Sequence, residues 1–254
     1  MTPKSPPERL LSRLRVVLCR PSHPGNIGAA ARAMKTMGLA DLALVAPRRF
    51  PDAEADARAT GAVDLLQTAR IVETLDAALA DCLFAVALSA RPRDLGPPLR
   101  TPREGAAELL AAAEAGPVAL VFGNETAGLS NAEMMRCQAA VSIPANPAFS
   151  SLNLGAAVQI LCYECRLAAF AGAPPPKAAP LASPLATAEE NAGLLHHLEA
   201  VMTATGFYNP AQPGRLLPKL RRLFNRARLE KEEINILRGM LAATEKPTGH
   251  GRRG

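Results

Sequence analysis

Five short runs of apolar residues constrain the fold of this 254-residue chain more than any other feature of its sequence. None of the runs alternates apolar with polar side chains, so both faces of each predicted strand must be covered. Longer segments with helical periodicity separate the runs. This alternation predicts an α/β domain with a mostly parallel sheet. The predicted strands are 15–20, 41–47, 83–90, 117–123 and 140–144, and the predicted helices are 26–37, 74–80, 102–113 and 152–171.

A proline-rich segment divides the chain. Residues 172–184 (GAPPPKAAPLASP) hold five prolines in thirteen positions, and such a segment cannot continue a helix. The sequence therefore predicts an α/β domain over 14–171, a linker over 172–185 and a small helical module over 186–246. The module's predicted helices are 187–205, 214–227 and 230–244, and the ends of the chain are predicted to be an N-terminal extension (1–13) and a disordered tail (247–254).

Positive charge is concentrated after the proline-rich segment. The chain has 29 basic and 23 acidic residues, and the part from Pro174 onward carries +5 of the net +6. A local excess of this kind favours a polyanion such as RNA, although a solvated helix face would have the same composition. The densest cluster has no acidic residue within it and comprises Arg215, Lys219, Arg221, Arg222, Arg226 and Arg228.

The cysteines and the hydropathy indicate where the protein works. All five cysteines lie in apolar stretches and are odd in number, which favours reduced, buried thiols over a disulfide framework. The N-terminus has no apolar signal region, and no apolar run reaches the ~18 residues needed to cross a bilayer. We therefore expect a cytoplasmic protein without a membrane segment. Cys162 and Cys165 lack a second ligand pair, so no metal site is predicted.

The first candidate motif follows the first strand and reads HPGNIGAAARAMKTMG, residues 23–38. Its glycines do not complete a dinucleotide-binding pattern, and no acidic residue closes the second strand. Asn26 is predicted to cap the helix and Gly38 to end it. Arg32 is expected on the same helix face as Gly28 and Lys35. From the residues alone, Arg32 is either a solvated side chain or a functional one.

Two further motifs place polar residues beside buried elements. In VFGNETAGLSNAEM (121–134), a strand brings Gly123 and Glu125 to its carboxyl end, where α/β proteins bind ligands. A simple turn before a capped helix would explain the same residues. In IPANPAFSSLNLGAAVQILCYE (143–164), Ser150, Ser151 or Asn153 can cap an apolar helix or help to hold a small ligand.

Taken together, NIGAAARAMKTMGL, FGNETAGL and IPANPAFSSLNL resemble the three motifs of the SpoU/TrmH branch of the SPOUT RNA methyltransferases. The resemblance covers about residues 14–171. The segment FYNPAQPGRLLPKLRRLFNRARLEKEEINILRGML resembles the C-terminal helices of tRNA methyltransferases in that branch. The resemblance implies a trefoil knot, an S-adenosylmethionine (SAM) pocket and a homodimer with its active site near the interface. It also implies 2′-O-methylation of cytidine or uridine at the first nucleotide of the tRNA anticodon loop.

The resemblance also assigns roles to positions. Arg32 matches the catalytic arginine. Because a guanidinium stays protonated, we expect it to stabilise the developing 2′-oxyanion and to hold phosphate rather than act as a base. The other expected catalytic residues are Asn26, Glu125, Ser151 and Asn153. The residues expected to line the SAM pocket are Leu88, Ser89, Ala90, Gly123, Ile143, Ser150, Ser151, Leu152 and Asn153.

Two alternatives remain at this point. The same chemistry on ribosomal RNA would use the same motifs, and a relative that only binds RNA would keep the fold without catalysis. The intact Arg32, Glu125, Ser151 and Asn153 favour an enzyme.

Overall fold

The computed structural model describes residues 5–89, 96–171 and 183–245, and the predicted parallel α/β fold is confirmed. Seven strands form one sheet in the order β3-β2-β1-β6-β4-β7-β5, and every pair is parallel. Five of them were predicted, with ends that differ by at most three residues; β3 and β5 are too short to leave a signal. The strands are β1 (Leu14–Cys19), β2 (Asp41–Val45), β3 (Arg70–Val72), β4 (Phe84–Leu88), β5 (Leu99–Arg100), β6 (Val118–Phe122) and β7 (Ala139–Val141).

Helices cover both faces of the sheet. The four helices predicted in this part are present, but short ones with too few turns for a periodic pattern were missed. The helices are α1 (Pro6–Leu11), α2 (Pro24–Met37), α3 (Ala53–Ala59), α4 (Val63–Gln67), α5 (Leu75–Leu79), α6 (Pro102–Ala113), α7 (Asn131–Met134) and α8 (Leu154–Phe170).

The first strand shows why the apolar runs do not alternate. All six residues of β1 are buried. Val16 and Leu18 belong to the core beneath α2, α6 and α8, whereas Val17 and Cys19 belong to the core on the opposite face. Successive side chains of a strand point to opposite faces, so a sheet with two cores favours apolar residues at nearly every position. The exception in β1 is the buried Arg15, whose guanidinium pairs with Asp41 and Asp81.

The start of α2 corrects one prediction. The helix begins at Pro24 and its N-cap is His23, not Asn26. A proline is favoured in the first turn because its missing N–H would have no helical partner there, and this moves the helix start toward Pro24. Asn26 therefore lies within the first turn, where its side chain is free to bond elsewhere. Gly38 ends the helix with φ +85°, as predicted.

Three further helices form the C-terminal part: α9 (Ala188–Ala204), α10 (Leu216–Ala227) and α11 (Lys231–Glu245). They share a small core that includes Leu194, Leu229 and Ile234. Most of the predicted linker and the predicted tail lie outside the described residues. The helices contact the α/β part directly, because Asn225 Nδ2 donates to the carbonyls of Met135 (2.7 Å) and Cys137 (3.3 Å).

The cysteines are buried, as the sequence predicts. All five cysteines are free and buried. Burial raises the pKa of the Cys19 thiol to about 12, so it stays protonated at neutral pH. Among the described helices, none has the length and apolar character needed to span a membrane.

Candidate active site

A cavity of about 400 Å³ opens where β4, β6 and β7 end. These strands are parallel neighbours, so their carboxyl ends meet at one edge of the sheet. The cavity brings together eight of the predicted site residues: Leu88, Ser89, Gly123, Glu125, Ile143, Ser150, Ser151 and Leu152. Of the other predicted pocket residues, Ala90 lies outside the described residues, and Asn153 is not in the cavity lining.

The loop after β6 forms one wall of the cavity because it folds back on itself. Asn124 Oδ1 accepts hydrogen bonds from the backbone N–H groups of Thr126 (3.1 Å) and Ala127 (2.7 Å). Gly128 adopts φ +67°, a conformation that favours glycine. A side chain at Gly123 would place its Cβ 2.0 Å from the Gly128 backbone, so both glycines are required for the close approach.

Glu125 is held by the loop between β1 and α2. Its carboxylate accepts from the N–H (3.0 Å) and hydroxyl (2.6 Å) of Ser22 and from Asn26 Nδ2 (2.8 Å). Partial burial alone would raise the pKa of Glu125, but the hydrogen bonds from Asn26 and Ser22 outweigh that effect and lower the pKa to about 2. Glu125 is therefore an anion at neutral pH and a poor proton acceptor.

Asn26 extends this contact to the third motif. Its Oδ1 accepts from Asn153 Nδ2 at 2.9 Å. Asn153 is the N-cap of α8, since its own Oδ1 accepts from the N–H of Ala156 at 3.3 Å. Glu125, Asn26 and Asn153 thus form one hydrogen-bonded chain, which we call the carboxylate–amide chain. It joins the start of α2, the loop after β6 and the start of α8.

Arg32 lies two turns further along α2. Its side chain is exposed, lies outside the cavity lining and makes no hydrogen bond or ion pair with the described residues. The helix that carries it is fixed in place: a Cβ at Gly28 would be 2.1 Å from the carbonyl oxygen of Ala55 on α3. The guanidinium is therefore presented to solvent from a rigid element.

The basic cluster of α10 does not form a single solvent-facing surface. Arg215, Lys219 and Arg226 are exposed, but Arg221 and Arg222 are half-buried against the α/β part. The Arg228 guanidinium stacks 4.7 Å from the centroid of the Phe84 ring. The amphipathic pattern of α10 could not reveal this division, because it does not show which neighbour the helix packs against.

Several residues of the site were not singled out from the sequence. Ser22 gave only the weak signal of a polar residue just before the first motif. Arg20, at the end of β1, forms a two-point ion pair with Glu133 on α7 and so fixes the far end of the second motif. The remaining lining residues are Phe122, Asn124, Thr126, Ala127, Gly128, Leu129, Leu154 and Ala157.

The described residues contain no cluster with the composition of a metal site.

Comparisons with known proteins agree with this geometry. Residues 13–163 match the SpoU rRNA Methylase family, and residues 189–253 match the C-terminal domain of the tRNA methyltransferase TrmJ. A relative from Pseudomonas aeruginosa, named tRNA (cytidine/uridine/adenosine-2′-O-)-methyltransferase TrmJ, is 49% identical over 93% of this chain and 95% of its own length.

Two solved structures extend the comparison. The crystal structure of TrmJ from Z. mobilis ZM4 superimposes with a TM-score of 0.80 at 35% identity, over 91% of this chain and 99% of that one. The SpoU methyltransferase AviRb from Streptomyces viridochromogenes, in complex with the cofactor AdoMet, gives a TM-score of 0.50 at 26% identity, over 62% of this chain and 61% of that one.

Proposed function

This chain belongs to the SpoU rRNA methylase family, and from that premise we propose that it transfers a methyl group from SAM to the ribose 2′-hydroxyl of a tRNA nucleotide. It is a methyltransferase of the TrmJ type. The observation that carries the proposal is the convergence of three distant segments on one cavity, near a rigid helix that presents an arginine with no side-chain partner among the described residues.

The cavity suits SAM in size and in chemistry. Leu88, Ile143 and Leu154 offer apolar surface for a purine, and the hydroxyls of Ser150 and Ser151 offer polar contacts. Glu125 contributes a negative charge that favours a cationic ligand such as a sulfonium. When bound, SAM supplies an electrophilic methyl group. We assign its binding to Leu88, Ser89, Ala90, Gly123, Ile143, Ser150, Ser151, Leu152 and Asn153.

The carboxylate–amide chain positions the first turn of α8, which borders the cavity. Glu125 holds Asn26, Asn26 holds Asn153, and Asn153 fixes the first turn of α8 next to the serines. Methyl transfer requires the 2′-oxygen to lie in line with the methyl group, so a rigid pocket wall supplies part of the rate. Ser151, in the lining, is placed to hydrogen-bond either the cofactor or the ribose.

Arg32 stabilises charge on the substrate. SAM would supply the methyl group, and its sulfur would keep the electron pair of the broken sulfur–carbon bond. The 2′-hydroxyl would lose its proton to solvent, and its oxygen would carry negative charge. A guanidinium remains protonated at working pH, so Arg32 acts as an electrostatic stabiliser and phosphate clamp rather than as a base. Its lack of any partner among the described residues leaves all its donors available to RNA.

The helical module holds the tRNA. Its basic residues on and beside α10 contact phosphates, and the modified nucleotide is cytidine or uridine at the first position of the anticodon loop. The adenosine in the name of the Pseudomonas relative adds a third base to test. Methylation of ribosomal RNA is the second candidate, and the match to the TrmJ C-terminal domain counts against it.

Three further properties belong to the proposal. The chain contains the trefoil knot of SPOUT domains, works as a homodimer and acts in the cytoplasm, where its substrate is. The outer face of α8 supports the homodimer, because Tyr163 (48% exposed), Leu167 (42%) and Phe170 (48%) recur on one side of the helix.

Nucleoside mass spectrometry of tRNA incubated with the enzyme and labelled SAM tests the reaction. We expect label on the 2′-oxygen of a single anticodon-loop nucleotide. Label on a base would contradict the proposal. Label on ribosomal RNA but not on tRNA would favour the second candidate, and an absence of both label and SAM affinity in calorimetry would indicate a relative that only binds RNA.

A further inference from the structure

A second cavity, of about 510 Å³, lies between α7 and the start of α10. One wall comes from the α/β part, with Ala132, Met135 and Arg136. The other comes from the helical module, with Arg215, Pro218 and Arg221. We call this the arginine cleft. It exists only because the two parts pack together.

Charge in the arginine cleft is only partly neutralised. Arg136 forms two hydrogen bonds to Asp76, one of them 2.9 Å long, so this pair carries no net charge. The side chains of Arg215 and Arg221 make no hydrogen bond or ion pair with the described residues. The cleft therefore has two uncompensated positive charges, which an anionic occupant would balance.

Partial burial of Arg221 favours an anionic ligand in the arginine cleft. Arg221 is half-buried, and loss of hydration together with the nearby Arg136 lowers its pKa. An anion between Arg221 and Arg215 would replace the lost hydration with charge-assisted hydrogen bonds. The apolar remainder of the wall, including Met135, Leu217 and Pro218, is suited to the flat face of a nucleobase.

The linings of the arginine cleft and the candidate active site come from neighbouring parts of the chain. Residues Gly123–Leu129 line the first cavity, and Asn131, Ala132, Met134, Met135 and Arg136 line the second. Leu129 and Asn131 are two residues apart, so the linings approach to within about 7 Å along the chain. An RNA strand with its ribose at the first cavity therefore has the second within reach.

We propose that the arginine cleft binds a phosphodiester of the substrate RNA, with a flanking base against its apolar wall. This rests on the proposed function, because the RNA is taken to be the one that is methylated. The cleft would couple the helical module to the active site: RNA held there contacts both parts at once. The proposal also explains why Arg221 is half-buried, which a helix face that only contacts solvent would not explain.

The double variant Arg215→Gln/Arg221→Gln tests this proposal. We expect its tRNA affinity to fall by about tenfold or more, since charge-assisted hydrogen bonds to the phosphate are lost. The slope of log K against log salt should decrease by ~0.7–0.9, because the cleft holds one phosphate and each phosphate contact contributes that amount. The KM for tRNA should rise while kcat and the SAM affinity stay at the wild-type values. Fluorescence anisotropy in a salt series, calorimetry and steady-state kinetics measure these quantities.

Two other variants sharpen the result. Arg238→Gln removes one exposed charge from α11, outside the arginine cleft, and should change tRNA affinity less than twofold. Asp76→Asn leaves Arg136 unneutralised and should tighten tRNA binding and steepen the salt slope, a gain that a misfolded protein cannot produce.

If the double variant has the tRNA affinity and salt slope of the wild type, the arginine cleft does not bind RNA. The same conclusion follows if Arg238→Gln lowers tRNA affinity as much as the double variant does. The proposed function fails separately: it would be refuted by a wild-type enzyme that does not label tRNA ribose. An enzyme that labels tRNA while the double variant binds normally would refute only the cleft.

Discussion

The charged groups of Glu125 and Arg32 differ in the hydrogen bonds that they make within the protein. Glu125 accepts hydrogen bonds from Ser22 and Asn26 and is committed to positioning. Arg32 is exposed and makes none with the described residues. An ionised group that the fold does not engage is available to a substrate, so the two charges have separate roles in the proposed reaction.

Replacing Arg32 should therefore affect chemistry rather than cofactor binding. We expect Arg32→Ala to lower kcat by about 10²–10³-fold, the range found when one oxyanion donor is removed. SAM affinity in calorimetry should stay at the wild-type value. Lys35→Ala is the control, since Lys35 lies one turn away, is exposed and pairs with Asp64 at 2.7 Å. An equal loss of SAM affinity in Arg32→Ala would place Arg32 in the cofactor site.

The charge of Glu125 should make the stability of the wild type depend on pH in a defined window, and Glu125→Gln should lack that dependence. The pKa of Glu125 falls from 4.5 to about 2 on folding, so the carboxylate stabilises the fold above pH ~4.5. That contribution is lost as the pH decreases toward about 2. Urea unfolding of wild type and Glu125→Gln should differ most near neutral pH and converge in acid.

The exposed Glu73, which makes no hydrogen bond with the described residues, supplies the matched control. Glu73→Gln should have nearly the stability of the wild type throughout. A gap between wild type and Glu125→Gln that stays constant from pH 7 to pH 3 would show that Glu125 acts through shape alone.

At the level of elements, α2 is the helix on which the candidate active site depends. It carries Asn26 and Arg32 and packs closely against α3 and α8. A Cβ at Gly155 of α8 would lie 2.7 Å from Ala29, and one at Gly28 would lie 2.1 Å from Ala55. Backbone contact of this kind fixes the helix more tightly than side-chain packing, because it has no rotamers to adjust.

Gly28→Ala should separate α2 from α3. Alanine is the better helix former, yet the steric conflict should cost about 1–3 kcal/mol in the free energy of unfolding. Gly193→Ala in α9 is the matched control, because a Cβ there meets nothing within 4 Å and should stabilise by ~0.5–1 kcal/mol. Denaturant titration measures both changes. A stabilising Gly28→Ala would mean that α2 and α3 lie further apart than described.

At the scale of the whole molecule, the two parts of the chain form one packed unit. Ala188 N–H donates to the Cys82 carbonyl at 3.2 Å, and Asn225 bonds the segment after α7. The outer face of α8 remains exposed, with Phe149 (79% exposed) just before it. Phe149 lies four residues before Asn153, so a second copy that covered this end of the surface would lie near the candidate active site.

Placing a charge on that face should dissociate the proposed homodimer. Leu167→Glu should shift the protein to a monomer in sedimentation experiments, because burying an unpaired carboxylate in an apolar interface is strongly unfavourable. Ile71→Glu, at a similarly exposed leucine-sized position on β3, should leave the mass unchanged. A wild-type protein that is monomeric at high concentration would rule out the dimer.

The sequence by itself determined the class of fold and the order of the motifs. Strands buried on both faces are continuously apolar, and helices of three turns or more repeat with a clear period, so β1, β2, β4, β6 and α6 could be predicted from their own residues. Short elements such as β5 and α7 could not, since a few residues carry no period and depend on what lies beside them.

Only the tertiary structure decided how the motifs work together. Glu125 meets Asn26 across 99 positions, and Asn26 meets Asn153 across 127. The basic residues of α10 divide between solvent and the arginine cleft according to what the helix packs against. Hydrogen bonds and charge pairs between distant segments have no periodic signature in a sequence, because the distances that create them arise only when the sheet brings the strand ends to one edge.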